Sequence, residues 1–220
     1  MSGPAGVRIW AVFPLAALVL ALPGCIGGTQ IYPVVQEHRL ALRPGDLEAS
    51  GIAFITPSTV TGQEQEKQAV ALTFADVIKR ERPGLRVVTL AETLGAINKE
   101  AGLADDYKRM YDEYRDTGLL ARDVMRRIGK ATGTRYLVQL KLQGFGQGSK
   151  ERFGILGLRI VETQYADVRL FLQIWDSSNG TIAWEATQEL RISMDSVKDQ
   201  PVMQRTVFER TAHDLIAKLP

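Results

Sequence analysis

Cysteine occurs only once in this chain of 220 residues, so no disulfide can form within it. Histidine occurs twice, at His38 and His213. A histidine-based triad would have to use His213, and no Gly-x-Ser-x-Gly nucleophile turn accompanies it. His-Glu-x-x-His, a cysteine pair and an Asp-rich calcium loop are all missing, which removes the common metal motifs. Neither sign of charge dominates: 27 Lys and Arg stand against 25 Asp and Glu, for a formal net charge of +2. No strong field therefore draws the chain to nucleic acid. The longest apolar run, Ile9 to Leu22 broken by Pro14, falls short of the roughly 20 residues that cross a bilayer core. No repeat of 20–50 residues is present, which excludes solenoids and propellers. One glycine-rich stretch, Gly144-Phe145-Gly146-Gln147-Gly148-Ser149-Lys150, has the wrong spacing and order for a phosphate cradle, and a strand pattern follows it where a helix N-terminus would be required. It reads as a polar loop at a sheet edge. The paired carboxylates Asp105-Asp106 and Asp112-Glu113 have Lys108, Arg109 and Arg115 beside them and read as solvated ion pairs on a helix. Nothing here predicts an enzyme, a metal or a cofactor.

What is present is a composition of 45% hydrophobic and 24% charged residues, normal for a packed domain. Ahead of it stands a short basic stretch with Arg8, the apolar run, and Leu22-Pro23-Gly24-Cys25. The run has the length of a signal-peptide core. Small residues before a lone cysteine resemble the lipobox of bacterial lipoproteins, which implies cleavage before Cys25 and acylation of its thiol. An ordinary secretory signal or an uncleaved anchor are the alternatives. Ile26 follows the cysteine where an aspartate retains lipoproteins at the inner membrane of enteric bacteria. The resemblance therefore implies the outer membrane, with acyl chains as the anchor and the domain in the periplasm. The predicted organisation is a signal peptide over 1–24, a lipidated cysteine and tether over 25–49, and one α/β domain over 50–220.

Along the mature chain, residues 26–49 hold Gly27, Gly28, Pro33, Pro44 and Gly45 without a sustained period, hence the tether. Ile52 to Ile55, closed by Pro57, predicts a buried strand. Thr61 and Glu64 have capping-box spacing before a helix whose Val70, Phe74, Val77 and Ile78 share a face and which Pro83-Gly84 ends. Leu85 to Leu90 predicts a second strand, and Thr89 with Glu92 repeats the capping spacing. Residues 104–132 predict helix with a break at Gly118. Tyr107, Tyr111 and Tyr114 form a stripe there, with two readings: packing on the sheet with hydroxyls at the rim, or a sticky surface for a partner. Arg122, Arg126, Arg127 and Lys130 read as a solvated helix face. Tyr136 to Phe145 alternates as a strand, as do Ala166 to Ile174 and Ile182 to Ile192. Ser178-Asn179-Gly180-Thr181 signals a two-residue hairpin turn between the last two, and Pro201 suits the first turn of a closing helix.

Ile128 to Val138, with Gly129-Lys130-Ala131-Thr132-Gly133, and Ile174 to Trp184, with Asp176, a turn, Gly180 and Trp184, resemble elements of a broad group of periplasmic lipoproteins. That group includes the curli secretion lipoprotein, the outer-membrane activators of penicillin-binding proteins and the amino-terminal domain of the Tol-system propeller protein. The resemblance covers roughly residues 50–219 and transfers no catalytic residue. It implies a non-catalytic module that binds an envelope partner or assembles with itself. A secretion subunit and a regulator of a cell-wall synthase are the alternatives. A curli-type pore needs long membrane-crossing hairpins, and residues 146–165 offer little room for one. The expected fold is an α/β sandwich with a mixed sheet of about five strands, a C-terminal antiparallel hairpin and helices packed on it. The expected partner contacts are Tyr107, Tyr111, Tyr114, Phe145 and Phe153.

Overall fold

A computed structural model of the chain describes residues 28–59, 65–155, 158–196 and 202–220, with backbone alone over 151–155, 158–161 and 196. The signal segment, Cys25, Thr61, Glu64 and Pro201 lie outside the described residues. Among the described residues seven strands form one mixed sheet in the order β1-β7-β6-β5-β2-β4, with β3 pairing β5 off that path. The strands are β1 (Thr29–Arg39), β2 (Ile52–Phe54), β3 (Ser58–Thr59), β4 (Val87–Val88), β5 (Tyr136–Ile155), β6 (Leu158–Asp176) and β7 (Thr181–Ser196). The helices are α1 (Asp46–Ser50), α2 (Glu66–Glu81), α3 (Leu90–Lys99), α4 (Leu103–Thr117), α5 (Arg122–Thr132) and α6 (Gln204–Ile216). As expected, strands joined through helices are parallel, β2 to both β4 and β5, while β5, β6 and β7 form an antiparallel meander.

Period-2 alternation sends Val138, Leu140 and Leu142 of β5, Val168, Leu170 and Leu172 of β6, and Trp184, Ala186 and Leu190 of β7 to one face. There α2 and α6 cover them, with Phe74 and Phe208 fully buried. Among the described residues the opposite face is covered only at one end. Ala53, Ile55, Leu137 and Trp175 meet α3, α4 and α5 through Ile97, Met110, Val124, Met125 and Ile128. The α3 cap is the predicted one: the Thr89 hydroxyl accepts from the Glu92 N–H while the Glu92 carboxylate accepts from the Thr89 N–H. The hydrogen bonds that the Glu92 carboxylate accepts from the Thr89 N–H and from the Thr89 hydroxyl hold it below its ordinary range.

Three expectations change. The segment read as a tether contains β1, an 11-residue edge strand antiparallel to β7, and then α1, whose Leu47 is in the core. Its lack of apolar period misleads because an edge strand is held by its backbone ladder and needs no buried side chains. Pro33, having no N–H, is compatible with a strand only at such an edge. The glycine-rich loop is also strand: β5 runs unbroken through Gly144–Lys150 and pairs with β6, with register shifts at Leu142/Gly144 and beyond Glu151. Its glycines make room for side chains of the neighbouring strand. A Cβ on Gly148 would lie 2.4 Å from the Tyr165 hydroxyl, and one on Gly146 would lie 3.2 Å from the Asp167 carboxylate. Finally, four residues rather than two join β6 to β7, because Asp176 and Thr181 are the last pair. Gly180 supplies a positive φ of 81°. The Asp176 side chain accepts from Ser178 N at 2.9 Å and Ser178 Oγ at 2.6 Å, and the Asn179 side chain accepts from Thr181.

Candidate docking surface

The uncovered half of the second face is built by the same alternation that fills the core. Residues one position out of phase with the buried set point away from α2 and α6, and past Trp175 no helix among the described residues meets them. Tyr32 and Val34 of β1, Glu189 and Arg191 of β7, Asp167 and Arg169 of β6, and Gln143 and Gly144 of β5 line a shallow depression of 550 Å³. The charges alternate across the strands: Arg169 binds Glu189 at 2.6 Å, and Asp167 lies opposite Arg191 in the register. Both members of the Arg169–Glu189 pair are more than half exposed, so the pair adds little stability but presents a defined charge pattern. Beside it β1 carries the exposed side chains of Val34 at 56% and Tyr32 at 57%, while Ile31, opposite core residue Ile192, faces the other side of the sheet. An apolar rim beside a patterned polar floor suits a protein surface.

The tyrosine stripe is not on this surface. Tyr107 and Tyr114 are buried and Tyr111 is partly so, with the ring of Tyr111 edge-on to both others at 4.9 and 6.3 Å. The Tyr107 hydroxyl accepts from Thr56 N at 2.9 Å and donates to Thr56 Oγ1 at 3.0 Å. The Tyr111 hydroxyl lies 2.5 Å from the Thr56 carbonyl and 2.8 Å from Gln139 Oε1. Burial raises all three tyrosine pKa values, that of Tyr111 the most. The stripe therefore clamps α4 onto the β2–β3 connection, as the packing reading has it. Phe145 is likewise partly buried, its ring 5.5 Å from that of Phe208. The shift at Leu142/Gly144 carries it to the α6 face, which a strict alternation from Tyr136 does not foresee. Phe153 is placed by backbone only, opposite Val161.

No family profile matches the sequence, and no curated protein sequence matches it. Solved structures resemble it distantly in shape. A point-variant PelC dodecamer from Paraburkholderia phytofirmans is 11% identical, at a TM-score of 0.47 over 86% of this chain and 98% of that one. Lipoprotein GNA1162 from Neisseria meningitidis is 12% identical, at a TM-score of 0.38 over 77% of this chain and 96% of that one. Likenesses at this level leave the surface to be read from its own residues.

The remaining polar residues hold the fold. Asp176 receives Arg135 Nε at 3.1 Å and Nη2 at 2.7 Å on one oxygen and Ser178 on the other. Burial pushes the Asp176 carboxyl up, but the hydrogen bonds from Arg135 and Ser178 outweigh it and hold the group below its ordinary range. Arg127, expected on a solvated face, instead ties α5 to Glu100, Asp106 and the Ala101 carbonyl. His213 is exposed on α6, 3.9 Å from Glu81, and His38 is exposed on β1. Among the described residues no three His, Cys, Asp or Glu side chains gather as a metal site. What sequence reasoning missed is the depression itself. Its signal was the out-of-phase residues Asp167, Arg169, Glu189 and Arg191, whose alternating signs become a pattern only when β6 and β7 are placed in register.

Proposed function

We propose that this chain is a non-catalytic docking module of the bacterial cell envelope, held at the outer membrane by acylated Cys25 and binding a protein partner through the open sheet face beside β1. The observation that carries the reading is β1. It is an 11-residue outer strand, exposed along nearly its whole length, that sets apolar side chains beside the charged depression. Binding rather than catalysis is supported by the composition of that face, which offers one ion pair, one glycine and one tyrosine but no histidine or cysteine among its lining residues. Because β1 is docked, only residues 26–28 remain between the anchor and the sheet. The partner then works close to the membrane, which favours an envelope assembly over activation of a synthase across the periplasm.

The test is photo-crosslinking in living cells, with a benzoylphenylalanine at Tyr32 or Arg169 and, as control, at Asn179 in the β6–β7 turn. A discrete adduct from the first two positions that is absent from the third supports the reading. Identical adducts from all three, or none, refute it. An adduct with a second copy of the chain selects the alternative, a subunit of an oligomeric secretion assembly.

A further inference from the structure

We propose that the partner adds an extended segment of its own chain to the outer edge of β1, lengthening the sheet by one strand. This deepens the docking reading above and rests on it. The phase of β1 decides which of its peptide groups are free. Leu40, the position after the strand, donates its N–H to the Ala183 carbonyl at the start of β7 at 3.2 Å. Antiparallel ladders alternate, so the even positions Gln30 to His38 also face β7, and the odd positions turn their N–H and C=O outward. Pro33 falls in the outward set, where its missing N–H costs the β7 ladder nothing. Among the described residues no strand pairs with β1 on that outer side. Ile31, Val35, Glu37 and Arg39 therefore hold out amides, and they and Pro33 hold out carbonyls.

Edges left in water are blunted by charge. The first part of β1 is not: Thr29 to Val35 carries no charged residue, and all of it but Val35 is exposed. Pro33 is its one blunting device and removes a single outward donor. The chemistry selects what covers such an edge. Acyl chains would take the side chains but offer the amides no acceptor. A second copy, pairing antiparallel about a twofold axis, either loses the donors of both Pro33 residues or shrinks to the charged end at Glu37, His38 and Arg39. A different chain meets Pro33 once and keeps the rest of the ladder. Main-chain hydrogen bonds then give affinity, and the flanking side chains give specificity. Ile31 and Val35, opposite Ile192 and Gln188, lie on the α6 side of the sheet, while Tyr32 and Val34 lie on the open face. The incoming segment is therefore uncharged and β-branched or aromatic on both faces beside positions 31–35, and polar beyond them.

The experiment uses the full chain in living cells with benzoylphenylalanine at Tyr32. Ile31→Pro and Val35→Pro each remove an outward amide and leave the β7 ladder whole, whereas Ile31→Ala and Val35→Ala trim the same side chains and keep the amides. The yield of the Tyr32 adduct is expected to fall about tenfold in each proline chain relative to its alanine counterpart. Equal yields from the proline and alanine chains overturn strand addition and leave docking standing. No adduct from Tyr32 or Arg169 in the parent removes docking and the added strand together. An adduct of twice the chain's mass marks a second copy and overturns the choice of partner. Val34→Pro checks the phase, because its amide faces β7: it should lower the urea midpoint of the purified chain, and the two outward prolines should not. A fall of the same size from all three overturns the proposal. Amide exchange of the purified parent chain reads the edge without any substitution. Fast exchange at Ile31, Val35 and Glu37 beside slow exchange at Tyr32, Val34 and Gln36 is expected, and slow exchange in both sets means the edge is already covered and overturns the proposal.

Discussion

Replacing Gly129 by alanine sets two effects of opposite sign against each other at one position. Gly129 lies inside α5, and a glycine there costs roughly 0.5–1 kcal/mol relative to alanine. On an open helix face the change would therefore stabilise. Here a Cβ would stand 2.4 Å from Ser177 Oγ, 3.1 Å from Ser177 Cβ and 2.8 Å from the Thr134 carbonyl oxygen. The serine hydroxyl can rotate away, but the Thr134 carbonyl cannot. Its residue is held by the hydrogen bond from Thr134 N to the Gly129 carbonyl at 3.0 Å and by the turn at Gly133. Overpacking of this kind costs about 1–3 kcal/mol, so the net expectation is a loss of about 1–2 kcal/mol. Urea unfolding followed by circular dichroism should show a lower midpoint at unchanged slope. Ser177→Ala should restore part of the loss, because it removes the shortest contact and leaves the carbonyl, and the double-mutant cycle should give a coupling of the same sign. A Gly129→Ala chain that is more stable than the parent would refute the close approach of α5 to the β6–β7 turn.

Asp176→Asn should cost about 1–2 kcal/mol at neutral pH, since it replaces a carboxylate that receives charged and neutral donors while Arg135 stays half in water. The Asp176 carboxyl is held below its ordinary value in the folded state, so its stabilisation is complete above about pH 4 and is lost as pH falls through the lower folded value. Unfolding at a series of pH values should show parent and variant converging on the acid side; a constant gap would sink the assignment. Tyr111→Phe removes the one hydroxyl proton that lies between Thr56 O and Gln139 Oε1 and should lower stability by about 1–2 kcal/mol without altering the crosslinks at Tyr32. Loss of those crosslinks in a folded Tyr111→Phe chain would return the stripe to the docking surface.

Much of the architecture is legible in local pattern. The α2 face, the Thr89 cap, the break at Gly118 and the alternation in β5, β6 and β7 depend on neighbours three or four residues away, or on every second residue, and these relations survive in one dimension. The docking surface is not legible in that way. β1 has no period because its side chains are mostly exposed, and its partner strand lies about 150 positions later. The Tyr107–Tyr111–Tyr114 stripe is plain in the sequence, but an amphipathic face does not say what covers it. Gly144, Gly146 and Gly148 suggest a loop to any local rule, and only Tyr165 and Asp167 crossing above two of them explain why a strand uses them.

The residues alone therefore determined the composition of the core, the parallel-then-antiparallel order of the strands and the lipoprotein-like segment ending at Cys25, because each depends on short spacing and residue type. Tertiary structure decided which apolar stripes are interior and that the apparent tether is an edge strand. Those facts are set by backbone pairing between distant strands, and hydrogen bonds between peptide groups leave no signature in side-chain pattern.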